Sequence, residues 1–238
     1  MKKLNKTDIK NINTSISSFL ASLAKKEIKA EFIAMKVIKN PKLLLEVLSG
    51  FLSAVADIKF KSAKVLVLIS KEKPELLYPY FYFFAKQLVN KNNILKWNAI
   101  DVIASLTVVD TENKFDKLYK KFYGMLYEGN LITANHVIAG STVIVTSKPY
   151  LEDKITKEIL HAKAIPLPTE ECRNILKGNA IKTFERYFYQ IKRKDEIIDF
   201  VKKEVNNTRN ATKKKAKRFL KKFGKSVKKE RDKNKCRK

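Results

Sequence analysis

The sequence predicts an all-α protein built from stacked pairs of helices, and three observations support this. Apolar residues recur three and four positions apart through most of the 238 residues, as they do on one face of an α-helix. Glycine and proline number only six each, too few for the turns of an all-β fold or the loops of a doubly wound one. A small residue returns at a nearly regular interval, which is typical of a repeated unit.

The helical spacing is clearest between residues 61 and 126, and the stops between helices are also visible. Pro41, Pro74 and Pro149 each stand near the first turn of a following helix, where a backbone N–H would have no partner within the helix. Thr169 precedes two glutamates, which the helix dipole favours at an N-terminus. Residues 143–146 have a strand-like composition, but they lie between helical segments and we predict a helix there. The apolar positions of the clearest segments are Val65, Leu68 and Ile69; Leu77, Phe81, Phe84, Ala85 and Leu88; Leu95, Ile100, Ile103 and Leu106; and Phe115, Leu118, Phe122, Met125 and Leu126.

An alanine near the start of each of six successive helices sets the repeat. The intervals between these alanines are 33, 36, 35, 46 and 31 residues, and the longest contains a loop with two prolines. A two-helix unit cannot bury its apolar stripe alone, whereas stacking buries it and alanine lets neighbouring backbones approach closely. The pattern predicts an α-solenoid of about five helix pairs. The six are Ala30, Ala63, Ala99, Ala134, Ala180 and Ala211.

These units resemble HEAT repeats, relatives of the armadillo type, over residues 30–223. The most similar segments are residues 96–106 and 209–220. The resemblance implies a solenoid that serves as a binding surface, and it carries no activity with it. We expect an N-terminal cap segment over residues 1–28, a repeat domain over 29–224 and a basic, flexible and disordered tail over 225–238.

The charge predicts a polyanionic partner. The chain has 51 basic and 24 acidic residues, a net charge of +27, and residues 201–238 hold 18 basic and 3 acidic ones. Such an excess repels itself unless an anion neutralises it. There are 44 lysines and only 7 arginines, and the first arginine is Arg173. Because lysine contacts phosphates without reading base edges, this bias favours non-specific contact with nucleic acid. An A/T-rich genome, which favours lysine codons, is the alternative explanation of the bias.

The strongest site prediction falls on a basic helix near the C-terminus. An apolar stripe of Ala216, Phe219, Leu220 and Phe223 leaves two rows of cations at intervals of four. Like charges so spaced repel, so we expect these rows to meet anions. A solvated capping helix with a solubilising tail is the alternative. The first row is Lys213, Lys217 and Lys221, and the second is Lys214, Arg218, Lys222 and Lys225.

Aromatic clusters could stack on bases, but core packing is the preferred interpretation for each. One runs from Tyr78 to Phe84 after Pro74, and another is Tyr187, Phe188 and Tyr189. Tyr119 and Tyr123 lie beside lysines 117, 120 and 121, with a spacing ordinary for a surface helix.

Catalytic patterns are scarce. Glycine-rich phosphate loops are absent, and His136 and His161 have no cysteine or carboxylate at ligand spacing, so we expect no metal site and no cofactor. Trp97 and Asp101, one turn apart, weakly resemble a pair used by HEAT-like alkylpurine DNA glycosylases, in which the aspartate stabilises a cationic sugar. That family also uses an arginine in the following repeats and a second tryptophan. Here no arginine precedes Arg173, and Trp97 is the only tryptophan.

We therefore expect a non-enzymatic scaffold that contacts nucleic acid or a ribonucleoprotein. A protein-interaction adaptor is the second possibility, and an alkylated-base DNA glycosylase is the third. No apolar stretch reaches the roughly 20 residues that a transmembrane helix needs. The N-terminus is a poor match to a signal peptide, so a cytoplasmic location with reduced cysteines is expected.

Overall fold

The computed structural model describes residues 18–25 and 27–235, and for residues 162, 163 and 225–235 it describes the backbone only. Every regular element in this part of the chain is helical, so the predicted all-α class is confirmed. The strand-like residues 143–146 lie inside a continuous helix, Leu131–Ser147, as predicted. The chain forms two compact units that meet at Thr111 and Glu112.

In unit 1, which ends at Thr111, the helix Ala56–Glu72 packs on most of the other helices, among them Ala30–Lys39, Leu44–Phe51 and Asn93–Leu106. Short 3-10 turns at Pro41–Leu43, Tyr78–Tyr80 and Thr107–Val109 lie between or after them. Its α-helices are α1 Ser18–Ala24, α2 Ala30–Lys39, α3 Leu44–Phe51, α4 Ala56–Glu72, α5 Pro74–Leu77, α6 Phe81–Gln87 and α7 Asn93–Leu106.

Unit 2, which begins at Glu112, repeats the alternation of shorter and longer helices. Its longest described helices, α9, α11 and α13, pack on one another in chain order. The α-helices are α8 Lys114–Gly124, α9 Leu131–Ser147, α10 Glu152–Leu160, α11 Glu170–Tyr187, α12 Lys194–Lys203 and α13 Asn210–Lys235.

Polar side chains fix where several of these helices begin. Asn92 accepts hydrogen bonds from the N–H groups of Ile94 and Leu95 at the start of α7. Asn130 caps α9 in the same way. Thr169 accepts from the N–H of Cys172, and Glu170 and Glu171 follow it in the first turn of α11. These caps satisfy N–H groups that the helix itself leaves without partners.

The six recurring alanines occupy α2, α4, α7, α9, α11 and α13, which we call the alanine-bearing helices. Within unit 1 these helices pack α2 on α4 and α4 on α7, and within unit 2 they pack α9 on α11 and α11 on α13. Ala63, Ala99, Ala134 and Ala180 are completely buried. The prediction is wrong for Ala211, which is exposed at the first turn of α13.

The close approach of α11 and α13 occurs at Gly178 and Thr212 instead. A Cβ on Gly178 would lie 2.5 Å from the Thr212 hydroxyl, which no real side chain allows without movement. Thr212 is buried, one position beyond Ala211. The rotation of α13 that buries Thr212, Ala216, Phe219 and Phe223 therefore turns Ala211 outward.

The C-terminal segment differs from the prediction, and both predicted end segments lie partly outside the described residues. In the predicted tail, residues 225–235 continue α13 as a helix, and residues 236–238 lie outside the described residues. Lysine and arginine are good helix formers, and Gly224 costs only about 1 kcal/mol relative to alanine, so α13 need not end there. Of the predicted N-terminal cap, residues 18–24 form α1, while residues 1–17 and 26 lie outside the described part.

Candidate nucleic-acid interface

Helix α13 is anchored to unit 2 by the apolar stripe that the sequence predicts. Ala216 and Phe219 are fully buried and Phe223 is nearly so, whereas Leu220 is only half-buried. Phe188, at the end of α11, stacks on Phe223 with ring centroids 4.2 Å apart and meets the edge of Phe219 at 5.3 Å. The apolar face of α13 therefore packs against the rest of unit 2, and the basic side chains lie on the other faces of the helix.

The first predicted row, Lys213, Lys217 and Lys221, lies on the outer face of α13. Lys217 and Lys221 are exposed, and Lys213 is half-buried. Among the described residues, no carboxylate forms an ion pair with any of the three. Their mutual repulsion at intervals of four is therefore not relieved by described neighbours in the chain. We call these three residues the lysine row.

The second predicted row is partly neutralised by unit 2 itself. Glu185 of α11 accepts a hydrogen bond from Arg218 Nη2 at 2.8 Å, and Lys222 Nζ lies 3.5 Å from the other carboxylate oxygen. Lys214 is exposed, and the side chain of Lys225 lies outside the described residues. The two predicted rows thus differ, because only the second has a carboxylate beside it.

A further set of cations was missed by the sequence analysis, because it lies on α11 and not on the final helix. Lys182 and Arg186 are exposed one turn apart on α11, and the exposed Tyr189 follows in the 3-10 turn after this helix. Lys215 of α13 lies near Lys182 and donates a hydrogen bond to Asn179 Oδ1 at 3.1 Å. The spacing of 182 and 186, four residues apart, is a helical signal that could have been found in the sequence. Together, Lys182, Arg186, Tyr189, Lys215, Arg218 and Lys222 form what we call the α11–α13 surface.

The electrostatics of this surface are visible in Lys215. Burial lowers the pKa of its ammonium group, and the positive charges of Lys182, Arg209 and Arg218 lower that pKa further. A cation that loses affinity for its proton because other cations are near lies in a region of positive potential. Such a region attracts anions from solution.

Tyr189 corrects the prediction that its aromatic cluster is core. Tyr187 and Phe188 are buried as expected, but Tyr189 is 81% exposed. It lies in the 3-10 turn Phe188–Gln190 that follows α11, with its ring edge-on to Phe223 at 5.8 Å.

The other aromatic groups behave more nearly as core. Phe81 and Phe84 are fully buried, although Tyr82 in the same cluster is exposed. Tyr119 and Tyr123 are buried between α8 and the rest of unit 2, where burial raises the pKa of both phenols. They therefore form no basic-aromatic face with lysines 117, 120 and 121, which are exposed.

The pair Trp97 and Asp101 lies on α7 in unit 1, one turn apart and half-buried. The backbone carbonyl of Asp101 accepts a hydrogen bond from Ser105 Oγ at 3.0 Å, so this part of α7 is a regular helix with an additional side-chain bond. A catalytic role for this pair belongs to the third alternative, the DNA glycosylase, and our prediction stays that the chain is not an enzyme.

Within the described residues, no three of the His, Cys, Asp and Glu side chains come together as a metal site would require. His136 is half-buried on α9 and His161 is exposed after α10. A search of the same residues for a helix long and apolar enough to cross a membrane finds none.

Comparison with known proteins gives no match to any protein-family model, curated protein or solved structure.

Proposed function

We propose that this chain is a non-enzymatic, HEAT-like binding scaffold that contacts nucleic acid or a ribonucleoprotein through the basic surface of unit 2. The architecture in this proposal is an α-solenoid of about five helix pairs, in which each pair stacks on the next. The scaffold role is proposed because stacked pairs present extended surfaces on which a partner can bind.

Side-chain contacts between successive alanine-bearing helices support the repeated architecture. Lys64 of α4 pairs with Glu31 of α2. Asn179 of α11 donates to Asn135 of α9 at 2.9 Å, and Lys215 of α13 donates to Asn179 in turn. These partners are 33, 44 and 36 residues apart, where the intervals between the corresponding alanines are 33, 46 and 31, so the first two agree closely and the third is longer by five residues. Contacts that recur at the period of the sequence are typical of stacked repeats.

The observation that carries the nucleic-acid proposal is the lysine row. Three cations line up along one face of α13 without a described carboxylate beside them, and the α11–α13 surface adds more positive charge to the same unit. Phosphates spaced along a nucleic-acid backbone would relieve this repulsion and release their counterions. Since phosphate contact needs charge density and no base-edge geometry, weak sequence preference is expected.

Titrations at several salt concentrations test this proposal. Fluorescence anisotropy with labelled duplex DNA and RNA should show affinity that falls with salt, with a log–log slope of about −0.9 for each duplex phosphate neutralised. The variant Lys213→Gln/Lys217→Gln/Lys221→Gln should have a shallower slope and weaker binding. Glutamine keeps helix propensity nearly constant.

The matched control removes three exposed lysines from α8 of the same unit, as Lys117→Gln/Lys120→Gln/Lys121→Gln. It lowers the net charge equally, so it separates the lysine row from a general charge effect. Equal loss in the two variants would contradict a specific role for the lysine row. Absence of binding at low salt would overturn the nucleic-acid proposal.

A protein-interaction adaptor is the second candidate, and a surface on unit 1 favours it. Phe32 and Met35 on α2 are 60% and 55% exposed, and Met35 borders an apolar groove between α2 and α4 that Ala34, Ile38 and Leu68 also line. Phe32→Ser/Met35→Ser should abolish binding to a protein partner and leave the salt-dependent titration unchanged.

The third candidate is an alkylated-base DNA glycosylase. It requires that the unchanged protein releases alkylated bases from DNA and that Asp101→Asn loses this activity without losing stability.

A further inference from the structure

Tyr189 presents an aromatic ring to solvent from a rigid base. Its neighbour Phe188 is buried and stacked on Phe223, and the Tyr189 ring meets Phe223 edge-on. The 3-10 turn is closed by a hydrogen bond from the N–H of Ile191 to the carbonyl of Phe188 at 3.1 Å. The backbone beneath Tyr189 is therefore held in place on both sides, while 81% of the residue remains exposed.

Cations flank this ring on two helices. Lys182 and Arg186 lie one turn apart near the end of α11, and Tyr189 follows two residues after that helix ends at Tyr187. Lys222 reaches the same place from α13, because its ammonium lies 5.0 Å from the centroid of the Phe223 ring that Tyr189 contacts. An exposed aromatic ring thus follows a short run of positive charge.

The helix dipole distinguishes the two ends of this run. The C-terminal end of α11 carries partial negative charge, which disfavours a phosphate directly at Tyr189. Lys182 and Arg186 lie further towards the N-terminus, and Lys215 of α13 lies near Lys182, with its hydrogen bond to Asn179 of α11. A phosphate is therefore favoured along the cations, whereas an uncharged aromatic base is favoured at the ring.

We infer that the α11–α13 surface binds single-stranded nucleic acid, with phosphates along Lys182, Arg186 and Lys215 and a base stacked on Tyr189. This inference rests on the proposed nucleic-acid function and specifies its substrate class. Stacking on an exposed aromatic needs an unpaired base, and a base within a duplex must first leave its own stack, at a considerable cost. Every base has a π-face, so this contact adds affinity for single strands without reading sequence.

The direct test compares the full chain with Tyr189→Ala and Tyr189→Phe. The probes are labelled oligothymidylate, labelled oligouridylate and a labelled DNA duplex. Tyr189→Ala should weaken single-strand binding by about 5- to 100-fold, the loss of one base–aromatic stack. Its duplex binding should change by no more than about 2-fold, since the phosphate contacts remain. Tyr189→Phe keeps the ring and should bind as the unchanged protein does.

Two controls separate stacking from other effects. Tyr82→Ala removes another exposed tyrosine whose ring meets a phenylalanine edge-on, in unit 1, and should leave all binding unchanged. Polyphosphate offers phosphates without bases, so it should compete equally well for the unchanged protein and for Tyr189→Ala. Unchanged thermal melting of Tyr189→Ala would show that the fold is intact.

The possible results are distinguishable. If Tyr189→Ala binds single strands as the unchanged protein does, or weakens single strands and duplex equally, the single-strand inference is wrong and the proposed function stands. If the unchanged chain binds none of the three probes at low salt, both are wrong. Ultraviolet cross-linking of an iodouridine-substituted strand gives an independent measure, and the inference requires Tyr189 to be a major cross-linked residue.

Discussion

The two units hold their alanine-bearing helices together in different ways. In unit 1 the link between α2 and α4 is apolar packing with one exposed ion pair, Lys64 with Glu31. In unit 2, hydrogen bonds cross between the helices. Thr183 Oγ1 donates to the carbonyl of Ile138 at 3.3 Å, and Thr212 Oγ1 donates to the carbonyl of Asn174 at 2.7 Å. Apolar contacts tolerate small shifts along a helix, whereas hydrogen bonds fix one register. Unit 2 thus holds cations of neighbouring helices side by side.

Charge also separates the two units. Residues 112–238 carry +18 of the net +27 and all seven arginines. Several arginines are used to hold unit 2 together. Arg193 pairs with Asp153 and Glu196, Arg209 with Glu171, and Arg218 with Glu185. The lysine row has no such partner among the described residues. In unit 2, these three arginines are therefore neutralised by carboxylates, whereas the lysine row supplies free positive charge.

The largest expected effect is loss of a core aromatic from one unit at a time. Phe219→Ala in unit 2 and Phe84→Ala in unit 1 each remove a fully buried ring and should cost about 3–5 kcal/mol. Hydrogen exchange should report lost protection in α13 for Phe219→Ala and in unit 1 for Phe84→Ala. Only Phe219→Ala should weaken binding to nucleic acid. Equal loss of binding in both variants would contradict the assignment of that surface to unit 2.

The next largest effect on stability is expected from larger side chains at the buried alanines. Ala99→Leu in unit 1 and Ala180→Leu in unit 2 place a large side chain where no space exists, and each should cost about 1–3 kcal/mol in a denaturant melt. Ala211→Leu is the matched control, because Ala211 is exposed. If Ala211→Leu is as destabilising as the other two, the rotation of α13 described above is wrong.

Removal of one hydroxyl from each unit tests the hydrogen-bonding contrast. Thr212→Ala loses the bond to the Asn174 carbonyl and should cost about 0.5–1.5 kcal/mol. Ser62→Ala removes a buried hydroxyl for which no described residue is a partner, and it should change stability by no more than a few tenths of a kcal/mol or increase it. Thermal melts of the two variants under identical conditions would measure the difference. Equal destabilisation would contradict the contrast between the units.

The smallest effect concerns two exposed carboxyl groups. A hydrogen bond from Arg193 lowers the pKa of Asp153, followed by the charges of Arg193 and Lys157. The pKa of Glu31 is lowered first by a backbone hydrogen bond at the start of α2, and then by Lys64. Arg193→Gln should therefore return the Asp153 pKa towards its ordinary value, whereas in Lys64→Gln the Glu31 pKa should stay lowered by the backbone hydrogen bond.

Carboxyl-detected nuclear magnetic resonance titrations would measure both pKa values. Because each pKa is lower in the folded than in the unfolded chain, each group stabilises the fold above its unfolded pKa. That contribution is lost as the pH falls through the folded pKa. A larger shift of Glu31 in Lys64→Gln than of Asp153 in Arg193→Gln would overturn the stated causes.

The sequence by itself determined the helices, because helix formation depends on spacing, caps and breaks within a few residues. It determined that residues 143–146 are helical, that the two glutamates after Thr169 open a helix and that five of the six recurring alanines are buried. It also identified the lysine row, since positions four apart on one helix must share a face.

Only the tertiary structure decided how each helix is rotated and aligned against the next. It turned Ala211 outward and Thr212 inward, and it left Tyr189 exposed beside two buried aromatic neighbours. It also brought Glu185 to Arg218 and Lys222, so that one predicted cation row is partly neutralised, and it placed Lys215 near Lys182. These partners lie more than thirty residues apart in the chain, and their meeting depends on side-chain packing between helices. A periodic pattern within one helix contains no information about that packing.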